Sequence, residues 1–280
     1  MTSSHKERTG DDLVFPEFDD IKVSTKTFTA TTNLNIHIDE LYQTLPITPY
    51  VVGFRNSITV IIILDKPINF KVCRNGTFQM TGCKSHEHAD KCVKYIWEYI
   101  KNFSNIYSFT RGNSLEAIFI PSMRNIDFSL GFIVDREKLN QYMCTQKEFH
   151  CLLETSFGYT GVNVKVPLTK DIKNMEVKKI IEKDNEWKEV WTTYKEYLDI
   201  LSPKERETKL QSERHNTFLV FHSGKVIMSG LTADFMRDVY YYFLSIIRAS
   251  FNKIEERLVH FNDSDENELS LDEELALLEI

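Results

Sequence analysis

Residues 72–82 read Val72-Cys73-Arg74-Asn75-Gly76-Thr77-Phe78-Gln79-Met80-Thr81-Gly82, and residues 220–230 read Val220-Phe221-His222-Ser223-Gly224-Lys225-Val226-Ile227-Met228-Ser229-Gly230. Val, Gly, Met, a hydroxyl residue and a second Gly recur at the same spacing, and a long amphipathic stretch follows each copy. An internal repeat sets architecture before any single residue is argued. Here it predicts one supersecondary unit used twice, and so a pseudo-symmetric binding surface. Asn75-Gly76 and Ser223-Gly224 supply the turn chemistry of a hairpin inside each copy.

Working outward, the flanking patterns also repeat. Lys22 to Ile36 alternates with threonines at 25, 27, 29 and 31 and reads as a strand. Asp39 to Leu45 reads as a short helix, Asn56 to Leu64, Ile68 to Cys73 and Thr77 to Met80 as three strands. Ser85 stands where a cap would begin a helix whose apolar face is Ala89, Cys92, Val93, Ile96, Trp97, Ile100 and Phe103. In the second half Asn125–Val134 reads as a strand and Arg136–Leu153 as helical. Gly161–Val166, Thr217–Phe221 and Lys225–Met228 read as strands. A helix follows from about Ala233, with Phe235, Val239, Tyr242, Phe243, Ile246, Ile247 and Phe251 as its expected buried face. The expected fold is α+β: a curved antiparallel sheet with helices on one side only. The expected organisation is a flexible leader at 1–20, a first repeat at 21–121, a second at 122–260 and an acidic tail at 261–280.

Residues 168–214 have no counterpart in the first half. They hold eleven basic and eleven acidic side chains. Trp187, Val190, Trp191, Tyr194, Tyr197 and Leu198 are spaced as the narrow apolar stripe of a helical insertion. Two readings stand for it: packing on the body, or docking a partner.

The net charge of −7 is concentrated in the tail, where residues 261–280 hold eight acidic and no basic side chains. The first 260 residues therefore carry +1, which argues against a strongly basic, non-specific nucleic-acid binder but not against a local patch. The tail also carries Leu269, Leu271, Leu275, Leu277 and Leu278. It reads as a solubilising segment, or as one that docks a partner or folds over the open face as a DNA mimic. Five cysteines without a regular framework point to reduced thiols inside a cell. The longest aliphatic run, Ile58–Leu64, is too short to span a membrane, and the polar first residues show no signal peptide.

Strand alternation sorts the side chains. Phe78, Met80, Val226 and Met228 should face the helices. Thr25, Thr27, Lys71, Cys73, Thr77, Gln79 and Thr81 should line the open side, with Leu219, Phe221, Lys225, Ile227 and Ser229 in the second half. An exposed aromatic such as Phe221 calls for a partly apolar ligand, or for cover by the insertion.

These residues closely resemble the TATA-box-binding protein family, over about residues 21–104 and 122–255. The strongest pieces are Gly76–Ser85 and Phe218–Gly230. The resemblance implies a saddle of two repeats, with helices on its convex side and DNA under its concave sheet. It places Phe221 and Phe157 as wedges between base steps, the latter ten residues before Pro167. It gives Leu219 a supporting role, Ser229 a contact with the groove floor, Lys225 a phosphate and Asn125 the central groove acceptors. In the first half Cys73 replaces a wedge phenylalanine, and Phe54 lies two or three residues from the other wedge position. Thr25 replaces the central asparagine and Thr27 a valine, while Thr81 and Lys84 are retained. Asp127 points a carboxylate toward the DNA. The expected binding is asymmetric, the second half gripping more strongly.

The implied partners are A·T-rich promoter DNA, a transcription factor IIB-like protein docking near Glu154, and RNA polymerase machinery, in a nucleus or a cytoplasmic viral factory; such a chain could come from a large DNA virus. No cofactor and no membrane partner are implied. The runner-up is an interaction scaffold of the same fold that has lost DNA binding. Cys83-x-x-His86-x-His88-x-x-x-Cys92 matches no common zinc finger. No nucleophile elbow or phosphate loop appears, so no enzyme is expected.

Overall fold

Each copy of the repeated phrase folds as a hairpin whose apex only glycine can occupy. In the computed structural model, which describes residues 8–46, 50–153 and 161–257, Gly76 and Gly224 have φ of +71° and +76°. A Cβ on either would run into a backbone carbonyl, that of Leu34 or that of Phe132. The two glycines also accept equivalent bonds, from Thr32 N at 3.1 Å and from Leu130 N at 2.8 Å.

The first half consists of β1 (Val23–Thr32), β2 (Leu34–Ile36), α1 (Ile38–Thr44), β3 (Val51–Phe54), β4 (Ser57–Ile63), β5 (Pro67–Cys73), β6 (Thr77–Cys83) and α2 (His86–Ile100). A short β7 (Tyr107–Phe109) pairs with β2. The second half begins with β8 (Leu115–Ser129), α3 (Arg136–Cys144), β9 (His150–Leu153) and β10 (Gly161–Pro167). The inserted elements are β11 (Glu176–Lys183), β12 (Glu186–Thr193), α4 (Tyr194–Asp199) and α5 (Pro203–Gln211). The half closes with β13 (His215–Phe221), β14 (Lys225–Gly230) and α6 (Ala233–Ile254).

The main sheet runs β3-β4-β5-β6-β1-β8-β14-β13-β10-β9. Its neighbours are antiparallel throughout. Counted outward from the β1–β8 seam, β6, β5, β4 and β3 match β14, β13, β10 and β9. The fold is α+β, as expected. Each half gains an edge strand, β3 or β9, and the helix expected to run to Leu153 stops at Cys144.

Alternation along the strands creates one core per half. Phe78 and Met80 pack with Cys92, Val93 and Ile96 of α2. Phe218, Val226 and Met228 pack with Tyr240, Phe243 and Ile247 of α6, Phe218 and Phe243 stacking at 4.0 Å between centroids. A fully buried aromatic removes enough apolar surface from water to contribute about 1.5–3 kcal/mol, so these helices are held to the sheet chiefly by burial.

The structure departs from the sequence reading in three further places. Residues 8–20 are packed rather than flexible: Leu13 and Phe18 are buried against α6. Tyr240 Oη donates to Pro16 O at 2.6 Å, and Asp19 pairs with Arg237. Their polar composition conceals two well-spaced apolar anchors.

The insertion is a hairpin followed by two short helices, rather than helical throughout. Asp184 and Asn185 take positive φ at its turn, which short polar side chains tolerate, and only Tyr194–Asp199 and Pro203–Gln211 are helical. Its β11 pairs with Leu115–Phe119 of β8, beside the free upper part of that long strand. The expected boundary at residues 121 and 122 therefore lies within a continuous strand.

Helices also occupy both faces of the sheet. α2 and α6 cover one. Tyr194, Tyr197 and Leu198 of α4 bury Ile118, with Ile120 packed alongside, on the other. No helix among the described residues is long and apolar enough to cross a membrane.

Candidate nucleic-acid interface

The face opposite α2 and α6 carries the open-side residues expected from sequence. On β6 and β14, Thr77, Gln79, Thr81, Lys225, Ile227 and Ser229 alternate with buried Phe78, Met80, Val226 and Met228. On β13, Leu219 and Phe221 are half-buried between buried Phe218 and Val220. Thr25, Thr27 and Thr29 of β1 lie on the same face as Asn125 and Asp127 of β8.

Register decides which residues are counterparts. Ser229 pairs with Asn125, which pairs with Thr25. Thr81 pairs with Thr27, which pairs with Met123. Since Thr81 and Ser229 hold the same place in the repeated phrase, Thr27 is the counterpart of Asn125, and Thr25 that of Met123. The pseudo-twofold passes through the Lys26–Arg124 pair. The sequence reading, which put Thr25 in the asparagine's place, is corrected by two residues. The correction follows from register alone: the pairing runs unbroken from Thr77–Thr31 to Thr81–Thr27, as it does from Lys225–Ser129 to Ser229–Asn125, and the extra residue of β6, Gly82, lies beyond it.

Among the described residues, three enclosed polar atoms on this face have no hydrogen-bond partner: Thr27 Oγ1, Asn125 Oδ1 and Asn163 Oδ1. Thr27 is only 5% exposed. Leaving such a group unpaired costs about 1–3 kcal/mol, so the centre of the face holds unused polar capacity.

At the outer end of the second half, Phe221 pairs with Gly161. A Cβ at Gly161 would strike the Leu219 side chain, so this glycine makes room for it. Phe157 and Glu154 lie outside the described residues. At the outer end of the first half Cys73 holds the place of Phe221 and pairs with Ser57. Phe54 ends β3 before a tight turn in which Arg55 has φ of +52°. It is 65% exposed, with the Arg55 guanidinium 5.1 Å from its ring centroid. Phe54 stands three residues before Ser57, and Phe157 four before Gly161. Ser57 and Gly161 are counterparts by pairing, so Phe54 is one position from Phe157's, closer than the linear comparison put it. Phe54, Ser57, Lys71, Cys73 and Thr77 line a cavity of about 720 Å³.

Charge on the face is mixed. Lys225 and Lys84 are exposed. Asp127 is also exposed and accepts from Ser24 Oγ at 3.2 Å. Lys26 and Arg124 point to the helix face, where burial lowers the pKa of both. The Cys83 and Cys92 thiols lie in the core, pushed up by burial to about 11 and about 12. His88 turns instead to Asp65, 3.2 Å away. Among the described residues no group of three His, Cys, Asp or Glu side chains is placed to hold a metal ion.

The sequence reading allowed for cover by the insertion over Phe221; the structure puts the cover nearer the centre of the face. Tyr197 Oη lies 3.3 Å from Thr31 Oγ1, and Tyr194, Lys209 and Arg214 overhang Thr29, Met123 and Ser229. The only signal was the apolar content of 194–198, which does not say which face it would cover.

No family model matches the chain. Over 146 residues it is 30% identical to a TATA-box-binding protein-like protein of Acanthamoeba polyphaga mimivirus, an alignment covering 42% of this chain and 38% of that one. The chain is thus similar to a viral TATA-box-binding protein-like protein, and divergent from it. Over 197 residues the chain is also 28% identical to "uncharacterized protein 335L" of Invertebrate iridescent virus 6, covering 67% of this chain and 58% of the relative. It thus spans less than two thirds of the length of either viral relative. Among solved structures it is similar to Methanococcus jannaschii TBP, with a TM-score of 0.49 and 14% identity over 84% of this chain and 99% of that one. The resemblance first carried by the repeated phrase is borne out by the mimivirus match.

Proposed function

We propose that this TBP-like chain binds double-stranded DNA on its open face, in the minor groove of A·T-rich promoter sequence, and bends it. The observation that carries the reading is the pairing of Thr81 with Thr27 and of Ser229 with Asn125 around one pseudo-twofold. A central polar row is thereby flanked by Leu219, Ile227 and Phe221. Polar groups at the centre suit the acceptors of A·T pairs in the minor groove. An apolar wedge unstacks a step at a cost of a few kcal/mol, offset by the surface that the bend brings into contact. There is no covalent chemistry in this mechanism; deformation and groove contact do the work. Recruitment of a transcription factor IIB-like protein and of RNA polymerase, in a nucleus or a viral factory, completes the proposal.

The test is binding and bending of A·T-rich and G·C-rich duplexes at several salt concentrations, for wild type, Phe221→Ala and Phe157→Ala. Loss of bending and affinity in the variants, with a salt slope in the wild type, supports the reading. A second reading is a scaffold that has lost DNA binding, favoured by Asp127, Cys73 and the cover over Thr31. Absence of duplex binding at low salt would leave that reading standing.

A further inference from the structure

We propose that the insertion forms a one-sided basic wall beside the open face, with Lys209 and Arg214 taking a backbone phosphate of the bound duplex. This rests on the DNA-binding reading and adds to it a contact that the repeat by itself does not provide.

A cavity of about 410 Å³ separates the sheet from the overhanging insertion. Its floor includes Thr29, Met123 and Ser229 of the sheet, and its far side Tyr194, Lys209 and Arg214. The floor thus joins the central row, since Ser229 pairs with Asn125 and Met123 with Thr27. A duplex seated with its minor groove on that row carries its phosphates along the groove edges, a few ångströms to either side. On one side those edges meet the insertion.

The two cations are oriented by neutral groups. Arg214 donates to Tyr194 Oη at 3.1 Å and to the carbonyls of Lys209 and Ser212 at 3.1 and 3.4 Å. Lys209 Nζ stands 5.8 Å from the centroid of the Tyr197 ring. Among the described residues neither side chain forms an ion pair, although the Glu205 carboxyl, one turn before Lys209 on α5, has its pKa lowered chiefly by Ser202 and in part by the charge of Lys209. A guanidinium pre-oriented by neutral acceptors keeps its full charge and remaining N–H donors for a phosphate, to which charge-assisted bonds are the strong ones. The first half has no segment equivalent to the insertion, so the contact falls on one strand at one side and gives the duplex a preferred orientation on a pseudo-symmetric face.

The test uses the full chain and an A·T-rich duplex, with binding measured from low to moderate salt. Lys209→Gln and Arg214→Gln should each weaken binding several-fold, equally for all duplexes. Each should also reduce the slope of log affinity against log salt by about one. Lys209→Arg should restore both, and thermal melts establish that the variants are folded. Ethylation interference should lose one phosphate on one strand only. An unchanged slope and footprint in folded variants overturns the inference. So does tighter binding on charge removal, which would make the insertion a block rather than a wall. If Phe221→Ala abolishes bending while the slope is unmoved by Lys209→Gln, only this inference falls. If the wild type binds no duplex, the function reading falls with it.

Discussion

The hydroxyl of Tyr197 lies 3.3 Å from Oγ1 of Thr31, tying a helix of the insertion to the face that α2 and α6 leave open. Thr31 sits on β1 and Tyr197 on α4, so the bond joins parts of the chain 166 residues apart. Tyr197 is buried, and that burial raises its pKa, so the phenol stays protonated at ordinary pH. Tyr197→Phe should therefore cost about 1 kcal/mol, the net worth of one hydrogen bond. Tyr197→Ala should cost about 3–5 kcal/mol through the cavity left over Ile118. Urea unfolding measures both, and a cost well under 1 kcal/mol for the alanine variant would mean that α4 is not docked on the sheet.

Cys73 holds in the first half the place of Phe221 in the second. Cys73→Phe should put a second wedge on the face and increase the bend of a bound A·T-rich duplex, read from end-to-end energy transfer. Stability should change by no more than about 0.5 kcal/mol, because the site is half-exposed and opens on a cavity. An unaltered bend in a variant that still binds would count against the equivalence of the two positions.

Asp127 directs a carboxylate toward the expected path of the phosphates. Asp127→Asn keeps an acceptor for Ser24 Oγ and removes the repulsion. Affinity for duplex DNA should rise several-fold at low salt, with the gain shrinking as the Debye length falls to about 8 Å near physiological ionic strength. A titration showing equal affinities at low salt would place Asp127 away from the DNA.

Lys178 on β11 joins the insertion to α2 through Asp90 and reaches Glu189 at 2.9 Å. Burial opposes its charge, but the two carboxylates outweigh it and raise its pKa. Asp90→Ala leaves the buried ammonium short of a partner and should cost about 3–5 kcal/mol. The double variant Asp90→Leu/Lys178→Met should recover most of that. Denaturant titration of the single and double variants decides; equal losses would show that the pair does not act as a unit.

His86 packs between Phe28 and Trp191, at ring separations of 4.5 and 5.5 Å. Burial, with Lys26 and Lys178 nearby, lowers its pKa from 6.5 to about 4. The unfolded chain takes up this proton near pH 6.5 and the folded one only near 4. Its contribution to stability is thus complete above pH 6.5 and is lost as pH falls through that window. In His86→Phe the melting temperature should fall less between pH 6.5 and 4 than in the wild type, and parallel curves would rule the effect out.

Much of this was legible in linear order. The repeated phrase carries both hairpins, because Gly76 and Gly224 sit where no other residue fits, and period-two alternation names the open face from Thr77 to Ser229. Position along the chain did less well across strands. Pairing moves the counterpart of Asn125 from Thr25 to Thr27, and puts Phe54 within one position of Phe157's place in the repeat. The insertion was legible as extra chain and as one possible cover, but not in its place on the face. Its apolar residues could satisfy either face, and the choice fell to the long strand β8, whose unpaired edge accepts β11 and delivers α4 onto Ile118 and Thr31. By itself the sequence determined a duplicated hairpin-and-helix unit and the side chains it aims away from its own core, since both follow from local turn geometry and strand period. Only the tertiary structure decided which of those side chains face one another across the twofold and which are covered. Register and docking are set by pairings between residues 50 to 170 positions apart, and no local pattern encodes them.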